Sequence, residues 1–285
     1  MAERVVVGVD GSPGASDALR WAAKEAQLRG ADLVACAVVN QSPDASAANS
    51  PALEQLSAAP AEYTGAFRAE IRHGENRAAA VLVAECTETD LLVVGSRGRN
   101  PLAAMLLGSV SRSCLTNAPC PVVVVHPGQH QARSHGRVIV GVDMSNTSRQ
   151  ALRVAAEEAR IRAAGLHAVH AVHWDSVGGE WITPTTEQLV EWGQKLVEAE
   201  LVRTDVAART VIIHGKPRDV LVRHSAHADL LVLGARGRGS LAAMLLGSVS
   251  DYCAQHAHCP VMIVHPKEEV EAGPDSTPGS TISAR

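Results

Sequence analysis

The chain has 285 residues, 46% of them hydrophobic and 20% charged, with a formal charge of −4; these values describe a soluble globular protein with room for two ordinary domains. Aromatics make up 2%, so the core must come from Val, Leu, Ile and Ala, and no basic stripe with interleaved aromatics gives nucleic acid or an anionic membrane a footing. Six cysteines are too few for a disulfide scaffold, no secretory signal precedes VVVGVD, and no apolar run approaches a membrane span, so cytoplasmic residence is the expectation.

The chain opens on a strand signal. Arg4–Val9 is apolar and β-branched, as a strand buried on both faces requires. Ser12 and Pro13 read as an N-cap and first-turn pair, and a helix over Ala15–Arg29 stops at Gly30. Leu33–Val39 is the second strand. The stretch QSPDASAANSPALEQLSAAP supports at most a stub of helix before Pro60. A strand over Phe67–His73, a helix through Ala78–Glu85 and a fourth strand at Leu91–Val94 follow. A glycine-containing loop then leads to a helix from about Val110 and a fifth strand, Val122–His126.

After the polar stretch GQHQARSHG at 128–136 the chain says the same again. VVVGVDGS at 5–12 returns as VIVGVDMS at 138–145, TDLLVVGSRGR at 89–99 as ADLLVLGARGR at 228–238, and APCPVVVVHP at 118–127 as AHCPVMIVHP at 257–266. The second-half strands fall near 137–142, 166–173, 209–214, 230–233 and 261–265, with a long helical pattern, roughly Pro184–Thr204, where the first half has its stub. Two homologous α/β domains are expected, at 1–127 and 136–266, with a linker at 128–135 and a disordered tail at 267–285. Buried strands alternating with helices imply an open parallel sheet in each, covered on both faces.

The repeated loop is Gly95-x2-Gly98-x9-Gly108-Ser109 and Gly234-x2-Gly237-x9-Gly247-Ser248. Its first glycine leaves a buried strand in a tight turn. Its second lacks a Cβ, so an anion can approach the backbone. Its third precedes a helix whose first amides have no intrahelical partners, and those N–H groups with the serine hydroxyls suit phosphate oxygens. Arg97 and Arg236 add positive charge. In an open parallel sheet ligands settle where strand order reverses. If the first and fourth strands are neighbours there, the loops Gly8-Val9-Asp10 and Gly141-Val142-Asp143 face the glycine loops. Each carboxylate can accept from a base amine or ribose hydroxyl, and Val38 and Val172 offer aliphatic surface to a base ring. A nucleotide is the ligand this combination suggests. Both G-x-x-x-x-G-K-[ST] and G-x-G-x-x-G are absent, which excludes a P-loop NTPase and a Rossmann dehydrogenase.

On these motifs both halves resemble universal stress protein domains, over about residues 3–127 and 136–266, and the spacing resembles that of the family's ATP-binding subgroup. The resemblance implies five strands in order 3-2-1-4-5 in each domain with ATP across the switch point, with or without Mg2+ on its phosphates. It carries nucleotide contacts onto Asp10, Val38, Gly95, Gly98, Gly108 and Ser109, with Gly8, Val9, Val94, Arg97, Val110 and Ser111 beside them. In the second half it carries them onto Asp143, Val172, Gly234, Gly237, Gly247 and Ser248, with Gly141, Val142, Leu233, Arg236, Val249 and Ser250 beside them. It also implies fifth strands paired edge to edge, a dimer-like role for PVVVV and PVMIV that makes an intrachain pseudo-dimer; a homodimer and a protein partner not identified by sequence are separate expectations.

Competing readings stand beside these. Asp10 and Asp143 could cap the first helix of each half, although Ser12 and Ser145 are better placed for that. Cys253, His256, His258 and Cys259 invite a metal, but the first half keeps the cysteines without the histidines, so buried structural thiols are expected and no metal site. LAAMLL is read as a hydrophobic plug under the loop. No side chain offers itself as a catalytic base or nucleophile, so a binding module acting in stress adaptation is preferred. A slow ATPase or nucleotidyl-transferring enzyme and a nucleotide-free dimerisation protein remain open, as does the choice among ATP, ADP, AMP and a cyclic nucleotide.

Overall fold

A computed structural model describes residues 2–39, 51–57, 63–73, 77–98, 107–129, 134–173, 185–237 and 246–266. The expected plug LAAMLL, apart from its last leucine, and the expected tail lie outside the described residues, as does the middle of the linker. The first half contains strands β1 (Arg4–Val9), β2 (Asp32–Val39), β3 (Phe67–His73), β4 (Leu91–Gly95) and β5 (Val122–Val125), with helices α1 (Pro13–Arg29), α2 (Pro51–Ser57), α3 (Ala78–Glu85) and α4 (Ser109–Asn117). The second contains β6 (Arg137–Gly141), β7 (Gly165–Val172), β8 (Arg209–His214), β9 (Leu230–Gly234) and β10 (Val261–Val264), with α5 (Asn146–Ile161), α6 (Thr186–Thr204), α7 (Pro217–Ser225) and α8 (Ser248–His256).

Each half is a five-stranded parallel sheet in order 3-2-1-4-5, and the two join as one sheet, β3-β2-β1-β4-β5-β10-β9-β6-β7-β8. The apolar runs of β1, β4, β5, β9 and β10 sit at the centre with helices on both faces, which is why they show no alternation. α1 is capped as its sequence suggests: Ser12 Oγ accepts from the Ala15 amide, and Gly30 closes the helix with φ 63°. α2 is the stub anticipated before Pro60, only seven residues long. The long second-half helix begins at Thr186 rather than Pro184, because Thr185 and Gln188 form a capping box there. Gly95 belongs to β4 instead of lying beyond it, since it pairs with Val125 in β5.

The halves meet where β5 and β10 pair antiparallel, Val123 opposite Met262. This places α1 beside α5, and four charges close over the joint. Arg29 Nη2 binds Glu25 Oε1 at 2.5 Å and Glu158 Oε1 at 2.6 Å; Arg162 Nη2 binds Glu25 Oε2 at 2.6 Å and Nη1 binds Glu158. Glu25, Arg29 and Glu158 are 4% exposed or less. Removing one member strands a buried charge, so Arg29→Met is expected to destabilise the protein by about 3–5 kcal/mol in urea denaturation.

Two histidines stitch the same joint from the strand ends. His126 Nε2 lies 3.0 Å from the Ala254 carbonyl in α8, and His265 Nε2 lies 2.8 Å from the Leu115 carbonyl in α4. Burial, foremost, pushes both imidazoles below the usual histidine range; Arg97, His256 and His258 add to this at His126, and Arg236 at His265. The unfolded chain therefore takes up protons first, so the stability these groups contribute is complete above the unfolded value of about 6.5 and is lost as pH falls below it. The urea midpoint is expected to drop between about pH 6.5 and 5, and His126→Asn with His265→Asn should flatten that slope.

Candidate functional site

β1 lies between β2 and β4, so strand order reverses there and the loops after β1 and β4 face each other across the carboxyl ends of the strands. β6 repeats this between β7 and β9. The closeness of the two loops is set by glycine: a Cβ on Gly98 would lie 2.6 Å from Asp10 Oδ2, and one on Gly237 would lie 2.5 Å from Asp143 Oδ2. The other carboxylate oxygen holds the turn. Asp10 Oδ1 accepts from the Ser12 amide at 3.0 Å, and Asp143 Oδ1 accepts from the Ser145 amide at 3.0 Å and the Ser145 hydroxyl at 2.6 Å. The helix caps belong to Ser12 and Ser145, as expected, so each aspartate keeps Oδ2 toward the glycine loop.

α4 and α8 begin at Gly108 and Gly247, in extended backbone with no side-chain cap. Ser109 and Ser248 are exposed, with Val110 and Val249 half-buried behind them. These bare first turns combine orphan amides with the positive end of the helix dipole. Ser111 and Ser250 turn the other way, and their hydroxyls donate 2.7 Å bonds back to the Gly95 and Gly234 carbonyls. The loop is closed further by the Gly108 amide on the Ser96 carbonyl at 2.9 Å and the Gly247 amide on the Ala235 carbonyl at 2.8 Å. Arg97 and Arg236 stand half-buried at its start.

Several expected site residues are also buried in the packing of the sheet. Val9, Val94, Val142 and Leu233 are 4% exposed or less, so they can present only backbone. A Cβ on Gly8 would meet Leu82 at 2.8 Å, and one on Gly141 would meet Leu233 at 2.6 Å; these two glycines let neighbouring side chains lie flat on the sheet. Gly95 and Gly234 give way to helix backbone, since a Cβ there would come within 2.9 Å of Gly14 or Thr147.

One equivalence fails. Val38 and Val172 do not occupy matching places, because Val5 pairs with Leu33 as Val138 pairs with Leu166, which makes Ala171 the counterpart of Val38. Strand side chains alternate faces, so a one-residue slip turns Val172 to the opposite side, where it lies under Gly193 of α6.

Three further residues shape the pockets without a signal in the motifs. Gln55 of α2 accepts from the Gly11 amide at 2.9 Å and donates to the Ser12 carbonyl at 2.9 Å and to Ser16 Oγ at 2.8 Å. Thr147 donates from Oγ1 to the Arg236 carbonyl. Ser96 is 1% exposed, and its hydroxyl has no partner among the described residues. Only the comparison of one half with the other, Thr147 against Gly14 and Ser96 against Ala235, could have drawn attention to the last two.

Among the described residues no three His, Cys, Asp or Glu side chains converge as metal ligands. Cys253 and Cys259 are buried, burial pushes the Cys253 thiol up to about 12, and His258 is exposed. His256 stacks on Tyr252 at 4.1 Å. Among the same residues no helix is long and apolar enough to cross a membrane.

The family model of the Universal stress protein family matches residues 1–126 and 135–265. A universal stress protein of Mycolicibacterium smegmatis is 35% identical, aligned over 92% of this chain and 97% of its own length. One of Mycobacterium tuberculosis is 33% identical over 91% and 95%. A crystal structure of a universal stress protein from Archaeoglobus fulgidus shares the fold with a TM-score of 0.67 at 19% identity, covering 93% of this chain and 99% of that one.

The glycines differ in what they tolerate. Gly95→Ala pushes a methyl into Gly14 backbone and is expected to destabilise by about 1–3 kcal/mol. Gly108→Ala meets nothing closer than 3.6 Å and should leave the urea midpoint nearly unchanged.

Proposed function

The chain belongs to the universal stress protein family, and from that premise we propose that each half binds an adenine nucleotide, ATP, and that the protein is a nucleotide-dependent regulatory module of stress adaptation. The observation that carries the reading is the pairing, in both halves, of an uncapped helix N-terminus with a carboxylate oxygen held against a glycine. The first amides of α4 and α8, with the exposed hydroxyls of Ser109 and Ser248, suit phosphate oxygens. Arg97 and Arg236 stand where they can offset phosphate charge. Asp10 and Asp143 suit a ribose hydroxyl or a base amine, and Val38 supplies aliphatic surface for the base in the first half. A divalent ion would arrive on the phosphates.

The donor set favours holding over cleaving. Amides and hydroxyls stabilise bound phosphate charge, while turnover needs a base poised beside an attacking water. Each aspartate already spends one oxygen on its own turn. A cytoplasmic setting and a protein partner that senses nucleotide occupancy belong to this reading.

Freshly purified protein, heat-denatured, is expected to release an adenine nucleotide detectable by chromatography or, once emptied, to take up ATP in calorimetry. Gly98→Val with Gly237→Val should weaken ATP by about tenfold or more, since each new side chain displaces a carboxylate. Unchanged affinity in that double variant overturns the site.

A further inference from the structure

We infer that the two pockets are unequal and that Thr147 is the positioning residue that makes the second-half pocket the tighter one. The inference rests on the nucleotide reading above and concerns how that ligand is shared between the halves.

Each pocket has two walls, the carboxylate loop and the glycine loop, and both must stand in place before a ligand can bridge them. In the second half, side chains tie the walls together. Thr147 Oγ1 donates to the Arg236 carbonyl, one residue before Gly237. The same oxygen lies 3.0 Å from Ser145 Oγ, which donates to Asp143 Oδ1 at 2.6 Å. With both hydroxyl protons spent in this way, Thr147 ties the start of α5 to the glycine loop and Ser145 ties the carboxylate to the same helix start, so the two walls are joined through the first turn of α5.

Among the described residues the first half has no hydroxyl in this place. Gly14 stands where Thr147 stands and carries no hydroxyl; a Cβ there would already be 3.0 Å from the Arg97 carbonyl. The first-half glycine loop also carries Ser96, whose buried hydroxyl has no partner among the described residues, where the second half has Ala235. A buried hydroxyl without a partner is costly and gives that wall a reason to rearrange. Gln55 secures the Gly11–Ser12 turn and α1, which is the carboxylate wall.

Ordering a wall at the moment of binding subtracts from affinity, and a wall ordered beforehand does not. One net hydrogen bond, about 1 kcal/mol, corresponds to roughly fivefold in a dissociation constant. The second-half pocket fills first, and the first-half pocket responds only at higher nucleotide concentration.

The test uses the full chain. Gly98→Val isolates the second-half pocket and Gly237→Val isolates the first-half pocket; ATP is titrated into each by calorimetry in one buffer. The second-half pocket should bind about fivefold tighter or more. Adding Thr147→Val to Gly98→Val should erase that advantage, while Thr147→Ser, which keeps the hydroxyl, should retain it; thermal melts identify the folded variants. Amide hydrogen exchange on nucleotide-free wild-type protein gives a readout free of any substitution: residues 234–237 should exchange more slowly than residues 95–98. Equal affinities, an advantage that survives Thr147→Val, or faster exchange at 234–237 would overturn the inference while leaving nucleotide binding intact. No uptake in wild-type protein and no nucleotide released on heating would overturn both.

Discussion

The antiparallel seam between β5 and β10 is the constraint on which the rest of the molecule depends. Each is a four-residue strand with every side chain buried, so neither could stand as an open edge without exposing unpaired amides and carbonyls in an apolar setting. Pairing Val123 with its own counterpart Met262 puts a local two-fold axis through the sheet. The surrounding contacts then follow from symmetry. Glu25 and Arg29 meet Glu158 and Arg162 on one face, α4 meets α8 on the other, and each strand-end histidine reaches the last helix of the opposite half. Those helices are the ones whose first turns border the pockets, so the seam and the two sites share the same rigid parts.

Glycine spacing in this fold is first a packing device. Gly95 and Gly234 admit the backbone of α1 and α5, Gly8 and Gly141 admit leucines, and Gly98 and Gly237 admit carboxylates. The last pair is the one that faces the carboxylate loop. A repeated glycine motif can thus survive for reasons of close approach between backbones, and its link to phosphate rests on what stands opposite: an uncapped helix start and an oriented aspartate.

The fold was legible because both of its signals are strong. A duplicated order of buried strands and capped helices prescribes two parallel sheets, and the seven-residue α2 is the short helix expected before Pro60. Apposition of Asp10 and Gly98 was legible too, since it follows from topology alone. What escaped was set by register and by contacts distant in sequence. Val172 ends β7 whereas Val38 stands one residue short of the end of β2, and a period of two turns that one-residue difference into the wrong face. The buried ring had a sequence signal, the same Glu-x3-Arg at the ends of α1 and α5, yet exposed i,i+4 pairs look identical until the partner helix is known. Gln55 had no signal, because its hydrogen bonds depend on where α2 docks.

How the copies diverged shows what the seam selects. The buried ring uses the same residues from both halves and would be satisfied by any pairing of the two domains, like with like included. The opposite face is different: Arg112 Nη1 lies 2.9 Å from Asp251 Oδ1, and these residues occupy equivalent positions in α4 and α8. Two first-half domains would set Arg against Arg there, and two second-half domains Asp against Asp. Arg112 is 47% exposed and Asp251 25%, so the attraction adds little stability, but like charges in that place work against the wrong pairing. One layer of the seam therefore holds the halves together and the other tells them apart.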